Sequence, residues 1–133
     1  MTNDPIAIEV RLDDSNLDQA RARVTQALAD EGFGILTEID VRATLKKKLD
    51  LDFRPYVILG ACNPKLAHRA LSEEPSIGVL LPCNVVIEAD DEGVLVRIAD
   101  PKAMFQVIDN EAVAPVAEEA EARLRRVAQA LSG

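Results

Sequence analysis

The sequence predicts an α+β fold, a two-layer sandwich with a mixed, largely antiparallel sheet and helices packed on one face. Three observations carry that reading. Ile6, Ile8, Val10 and Leu12 alternate with Glu9 and Arg11, the period of a half-buried strand. Val85 to Ile98 alternates on both sides of Asp90-Asp91-Glu92-Gly93, as an antiparallel hairpin does. Val116, Ala120, Leu124, Val127 and Leu131 recur at helical spacing, and Pro115 fits the first turn of that helix.

The remaining elements follow in chain order. After the first strand Ser15 is placed to cap a helix, with Asp18 in capping-box relation, and Leu17, Ala20, Val24, Ala27 and Leu28 form its apolar stripe up to Gly32. Ile35 to Ile39 reads as the second strand. Asp40 caps a short helix over 41–49, whose last turn carries Lys46, Lys47 and Lys48, cations that complement a helix C-terminus.

Tyr56 to Ala61 is apolar on both faces, which predicts a central strand covered on two sides or at a dimer contact. It stops at Cys62. Asn63 and Pro64 then start a helix that turns Leu66, Ala67, Ala70 and Leu71 inward and ends before Pro75. A short apolar run, Ile77 to Leu81, is closed by Pro82. Asp100-Pro101 repeats the cap-and-proline start for a short helix bearing Met104, Val107 and Ile108. No linker separates domains, so one domain is expected over 1–133, with a core in 6–108 and an amphipathic C-terminal helix at about 115–132.

Charge and composition narrow the function classes. The 133 residues carry 15 Lys and Arg against 23 Asp and Glu, a net charge of −8. That field repels phosphate backbones and anionic lipid, and with 3 Phe, 1 Tyr and 0 Trp there is little to stack on bases. Neither nucleic acid nor a membrane is expected as a partner, and a ligand is expected to be neutral or cationic. Met1-Thr2-Asn3-Asp4-Pro5 lacks the pattern of a signal peptide, so reduced thiols in the cytoplasm are the expectation for the 2 Cys.

The phosphate-binding, dinucleotide, nucleophile-elbow and zincin motifs are all absent, and His68 is the only histidine. The residues that remain for chemistry are Glu38, Asp40, Cys62, Asn63, His68, Cys83, Asn84 and Glu88. Cys62 ends a strand just before a capped helix, where the helix dipole favours a thiolate; as a plain reading it is a small buried hydrophobe continuing its strand. If its strand and the strand begun by Cys83 are antiparallel neighbours the two thiols approach each other, whereas a parallel crossover holds them apart. Glu88 shares a strand face with Val86 and reaches Arg97 diagonally across the hairpin, as an ion pair or as a polar group inside a pocket.

Three blocks carry a family resemblance: Gly32 to Asp40, Tyr56 to Pro64 and Gly78 to Val86. With Asp100-Pro101 and Met104 they make the chain similar to the "domain of unknown function 302" family over about residues 6–108. The resemblance implies a small α/β protein, a dimer, and no established activity. It directs attention to Glu38, Asp40, Cys62-Asn63-Pro64 and Leu81-Pro82-Cys83. The expected function is therefore a cytoplasmic, homodimeric small-ligand-binding or interaction module. Its pocket is bordered by Cys62, Asn63, Pro64, Pro82, Cys83 and Asn84, with no catalytic set, no metal site and no assigned cofactor. The alternative is a thiol-based redox or metal-handling protein using Cys62 and Cys83, with His68 assisting.

Overall fold

A computed structural model of the chain describes residues 4–13 and 16–133. Its elements in order are β1 (Ala7–Leu12), α1 (Leu17–Asp30), β2 (Gly34–Asp40), α2 (Val41–Leu49), β3 (Tyr56–Cys62), α3 (Pro64–Glu73), β4 (Cys83–Asp90), β5 (Gly93–Ala99), α4 (Pro101–Phe105) and α5 (Ala114–Ser132). The apolar run before Pro82 lies in a 3₁₀ helix over Pro75–Leu80, and Glu111–Val113 forms a second 3₁₀ turn. None of the described helices is long and apolar enough to cross a membrane.

The five strands lie in the order β1-β5-β4-β3-β2, and every neighbouring pair is antiparallel. The α+β sandwich expected from the sequence is present, without the parallel pair that a mixed sheet implies. The reason lies between β3 and β4. The chain leaves the sheet at Cys62, runs through α3 and the 3₁₀ helix, and re-enters at Cys83 at the same end, where Ala61 pairs with Cys83.

One face of the sheet carries the core. Ile8, Val10, Val96, Ile98, Val85, Ile87, Val57 and Leu59 alternate onto it and are all at most 4% exposed. Ala20, Val24, Leu28, Leu124, Val127 and Leu131 of α1 and α5 close over them in the same cluster. β1 and β2 are opposite edges of the sheet, so α1 must cross the layer. Its 14 residues at about 1.5 Å each match four inter-strand gaps of about 4.8 Å. A second cluster, with Leu66, Ala70, Phe105, Val116 and Ala120, joins α3 and α4 to the start of α5.

The local signals act largely where the sequence puts them. Asp40, Asn63 and Asp100 each accept a backbone N–H of the following turn, from Ala43 at 2.9 Å, Leu66 at 3.2 Å and Lys102 at 3.0 Å. Gly32, at φ +86°, ends α1 with its N–H on the Ala29 carbonyl while Phe33 N–H reaches Leu28. The start of α1 differs. Ser15 lies outside the described residues, and the capping box is formed by Asn16 and Gln19, whose amide side chains satisfy each other's backbone N–H groups. Asp18 is thereby released to pair with Arg21. One inward assignment, Leu71, and the placing of Val107 on the short helix also fail. Leu71 is 40% exposed, outside the buried cluster that Leu66 and Ala70 join, and Val107 is 80% exposed beyond the end of α4.

Gly60 marks a place where backbone and side chains approach closely. A Cβ added there would lie 2.2 Å from Thr37 Oγ1 and 2.8 Å from Pro82 Cγ. Gly60→Ala should therefore lower stability in urea unfolding by about 1–3 kcal/mol, and Thr37→Ala should restore part of that loss by removing the nearer clash.

Candidate functional site

The antiparallel return of β4 beside β3 sets the two sequence blocks next to each other. Cys62 and Asn63 leave the sheet where Pro82 and Cys83 enter it, and the Leu81–Pro82 peptide is cis. Over this end stand α3, the start of α5, and Phe105 of α4. Beside Leu66 of α3 and Val116 of α5, the residues these two helices turn to the cleft are small, Ala67 and Ala70 from α3 and Ala120 from α5, so the helices meet without filling all the space between them. A cleft results. Its enclosed room is about 30 Å³ below an open mouth, with both cysteines in its wall and Phe33, Leu66, Leu81 and Phe105 completing an almost wholly apolar lining.

The electrostatics of this cleft are those of a hydrocarbon pocket. Burial pushes the Cys83 thiol up from 9.0 to about 11, with the neighbouring Cys62 adding to the effect. Burial raises Cys62 as well. Desolvation thus outweighs any help from the start of α3, and both sulfurs are thiols at neutral pH, free of a disulfide. The remaining polar side chain, Asn63, is engaged: its Oδ1 accepts from Leu66 N–H and its Nδ2 donates to the Glu31 carbonyl at 3.5 Å.

The sequence-derived candidates divide into several places. Cys62, Asn63 and Cys83 share the cleft. Pro64 faces an outer groove on the other side of Asn63 and Leu66, together with Lys65, Arg69, Glu119 and Arg123. Glu119 accepts from both arginines at 3.2 Å, and they hold its carboxyl below the usual range. His68 is exposed in a separate groove beside Ser72 and Pro115. Glu38 pairs with Arg21 of α1 at 2.6 Å, and Asp40 is spent on capping α2. Asn84 and Glu88 point to the opposite face of the sheet, where Glu88 bonds Arg97 on the diagonal that the hairpin spacing implies.

Sequence reasoning did not single out Phe33, Ala67, Phe105 or Ala120 as site residues. Each is an ordinary core residue in its own segment, and only the meeting of α3, α4 and α5 makes a cleft of them. Among the described residues no group of three or more His, Cys, Asp or Glu comes together in a way that could hold a metal ion. What the cleft can do is exclude water from a small apolar group and offer it two neutral, polarisable sulfurs.

The family model of the domain of unknown function DUF302 matches residues 8–131. The crystal structure of an uncharacterized conserved DUF302 protein from Bacillus stearothermophilus superimposes with a TM-score of 0.85 at 29% identity, covering 93% of this chain and 96% of that one. None of the curated proteins matches.

The raised Cys83 thiol links stability to pH. Its proton is held to higher pH in the folded chain than in the unfolded one. The associated stabilisation is therefore complete below pH 9.0 and is lost as pH rises toward about 11. Urea unfolding at pH 8 and pH 10.5 should show an alkaline loss of about 2 kcal/mol attributable to this group, and Cys83→Ala should flatten that part of the slope.

Proposed function

We propose that this chain, which belongs to the family of the domain of unknown function DUF302, is a binding module for a small, uncharged, largely apolar molecule. The molecule is held in the cleft between α3, α5 and the ends of β3 and β4. One observation carries the reading: alanines at the meeting of two helices keep open a space that leucine-sized side chains would fill, and the lining presents no charge. The enclosed room is about 30 Å³, enough for one small apolar group, so the rest of the molecule lies across the open mouth. The thiol reading has one observation in its favour, that both cysteines share the cleft. The upward shift of both thiols by burial weighs toward binding, since a neutral buried thiol is a poor nucleophile and a poor ligand. Reduced thiols suit a cytoplasmic setting.

Because the chain has 0 Trp, indole is a convenient probe whose emission is seen without background. Indole should bind saturably at one site per chain with Kd on the order of 0.1 mM and a blue-shifted emission. Ala67→Phe, which fills the cleft from its half-buried rim, should weaken it about tenfold or more. Failure of both indole and p-cresol to bind saturably would remove the proposal. For the thiol reading, iodoacetamide labelling of Cys62 is the discriminator: rates should rise only above about pH 8.5, and rapid labelling at pH 6.5 would favour an activated thiolate instead.

A further inference from the structure

Between α4 and the first turns of α5 lies a second space, of about 170 Å³ against about 30 Å³ inside the cleft. Ile108, Val113, Ala114 and Ala117 give it an apolar floor. Phe105 belongs to its wall and to that of the cleft, and at 8% exposed it is the partition that the two share. The start of α4 fixes that ring in place: Asp100 accepts from Lys102 N–H at 3.0 Å and from Ala103 N–H at 3.4 Å, while its own N–H donates to the Ile6 carbonyl at 3.0 Å.

The two spaces follow one another along α5. Val113, Ala114 and Ala117 serve the second room, and Val116 and Ala120 serve the cleft. From Ala114 to Ala120 a helix rises about 9 Å, so one small linear molecule reaches both. Size decides what each can take. A cavity of about 150 Å³ holds a benzene-sized group, whereas the room within the cleft admits the end of a hydrocarbon chain and no ring. An unbranched chain is also the shape narrow enough to run past Phe105 from one space to the other.

The rim of the second room sets the other end of the ligand. Lys102 and Glu118 bring one charge of each sign, which favours neither an anion nor a cation. Asn110 is engaged by its own chain, its Oδ1 accepting from Ala112 N–H and its Nδ2 donating to the Glu73 carbonyl, both at 3.0 Å. Gln106 is exposed at the rim and offers a donor and an acceptor together.

We infer that the cleft and the second room are two compartments of one site, and that its ligand is a linear aliphatic molecule with an uncharged polar end, of the class of medium-chain primary alcohols and amides. The methyl end lies beside Cys62 and Cys83, the middle of the chain crosses Phe105, and the polar end meets Gln106. The inference rests on the cleft being a binding site and adds the class of its ligand.

Displacement of bound indole by butanol, hexanol and octanol tests it, with titration calorimetry giving the stoichiometry. Wild type should bind one octanol per chain, with affinity rising about fourfold for each added methylene. Ala114→Phe, which fills the second room from an exposed position, should weaken octanol about tenfold or more and leave butanol as in wild type. Ala67→Phe in the cleft should weaken both alcohols, and far-UV circular dichroism of both variants should match wild type. With indole still bound, two octanols per chain, no gain in affinity beyond butanol, or an octanol affinity untouched by Ala114→Phe would overturn the inference alone. A wild-type chain that binds neither indole nor octanol would overturn it together with the cleft reading.

Discussion

The contact of α1 and α5 with one face of the sheet is the constraint from which the rest follows. Val24, Leu28, Leu124 and Val127 are fully buried against Val85, Ile87, Val94 and Val96. Each such side chain removed from water is worth about 1.5–3 kcal/mol, and among the described residues this cluster holds more buried side chains than the second one. Since α1 must span the sheet between its two edges, β2 is carried to the side remote from β1. The strands between are then filled by β3, β4 and β5 in antiparallel order. Once α5 is seated on this layer, its first turns project past the end of β3 and β4, and there α3 and α4 pack against it.

The cleft is a by-product of that arrangement made permanent by residue size. Helices that approach over alanine leave room at the sheet end, and the two strand connections bring Cys62 and Cys83 to its wall. The sulfurs contribute as soft apolar surface: their burial keeps the protons on, which suits contact with an uncharged guest. Charged groups stand outside, where Lys65, Arg69, Glu119 and Arg123 form the adjoining groove. The other side of the sheet follows a different logic. There paired residues run from Ile39 through Ile58, Val86 and Arg97 to Glu9, apolar over the first half of the row and charged over the second.

Most of the fold was legible from local chemistry. Caps at Asp40, Asn63 and Asp100, the αL glycine after α1, the alternation of β1, β4 and β5 and the stripe of α5 are short-range signals, each decided within a few residues. What escaped needed distance. Whether β3 and β4 run parallel or antiparallel depends on where α3 comes to rest, and periodicity within either strand is silent on that. Leu71 looks inward by spacing alone but is 40% exposed, and the helix expected to carry Val107 ends before it. The site was half visible for the same reason. Cys62, Asn63 and Cys83 stand out by type and by position at element ends, while the alanines and phenylalanines around them carry no mark until three helices converge. Glu88 was readable as a cross-strand partner of Arg97, but the sharing of Arg97 with Glu9 required the pairing of β1 with β5.

The corner at Glu31 and Gly32 has a consequence for how such a chain can change. The Glu31 carbonyl accepts from Asn63 of α3 and, at 3.1 Å, from Arg123 of α5, while its carboxylate holds Arg126 at 2.9 Å. Asn63 Nδ2 also lies 3.0 Å from where a Cβ on Gly32 would stand. Three helices from distant parts of the chain are thus indexed to one peptide, and no residue can be added there without shifting all of them. Between α2 and β3, Asp50 to Asp52 are exposed and tie back to the last turn of α2, and the ties to the sheet begin at Arg54 and Pro55. Growth of the chain by insertion has an open door there and a locked one at the end of α1, so length variation among sequences sharing this architecture has a built-in address.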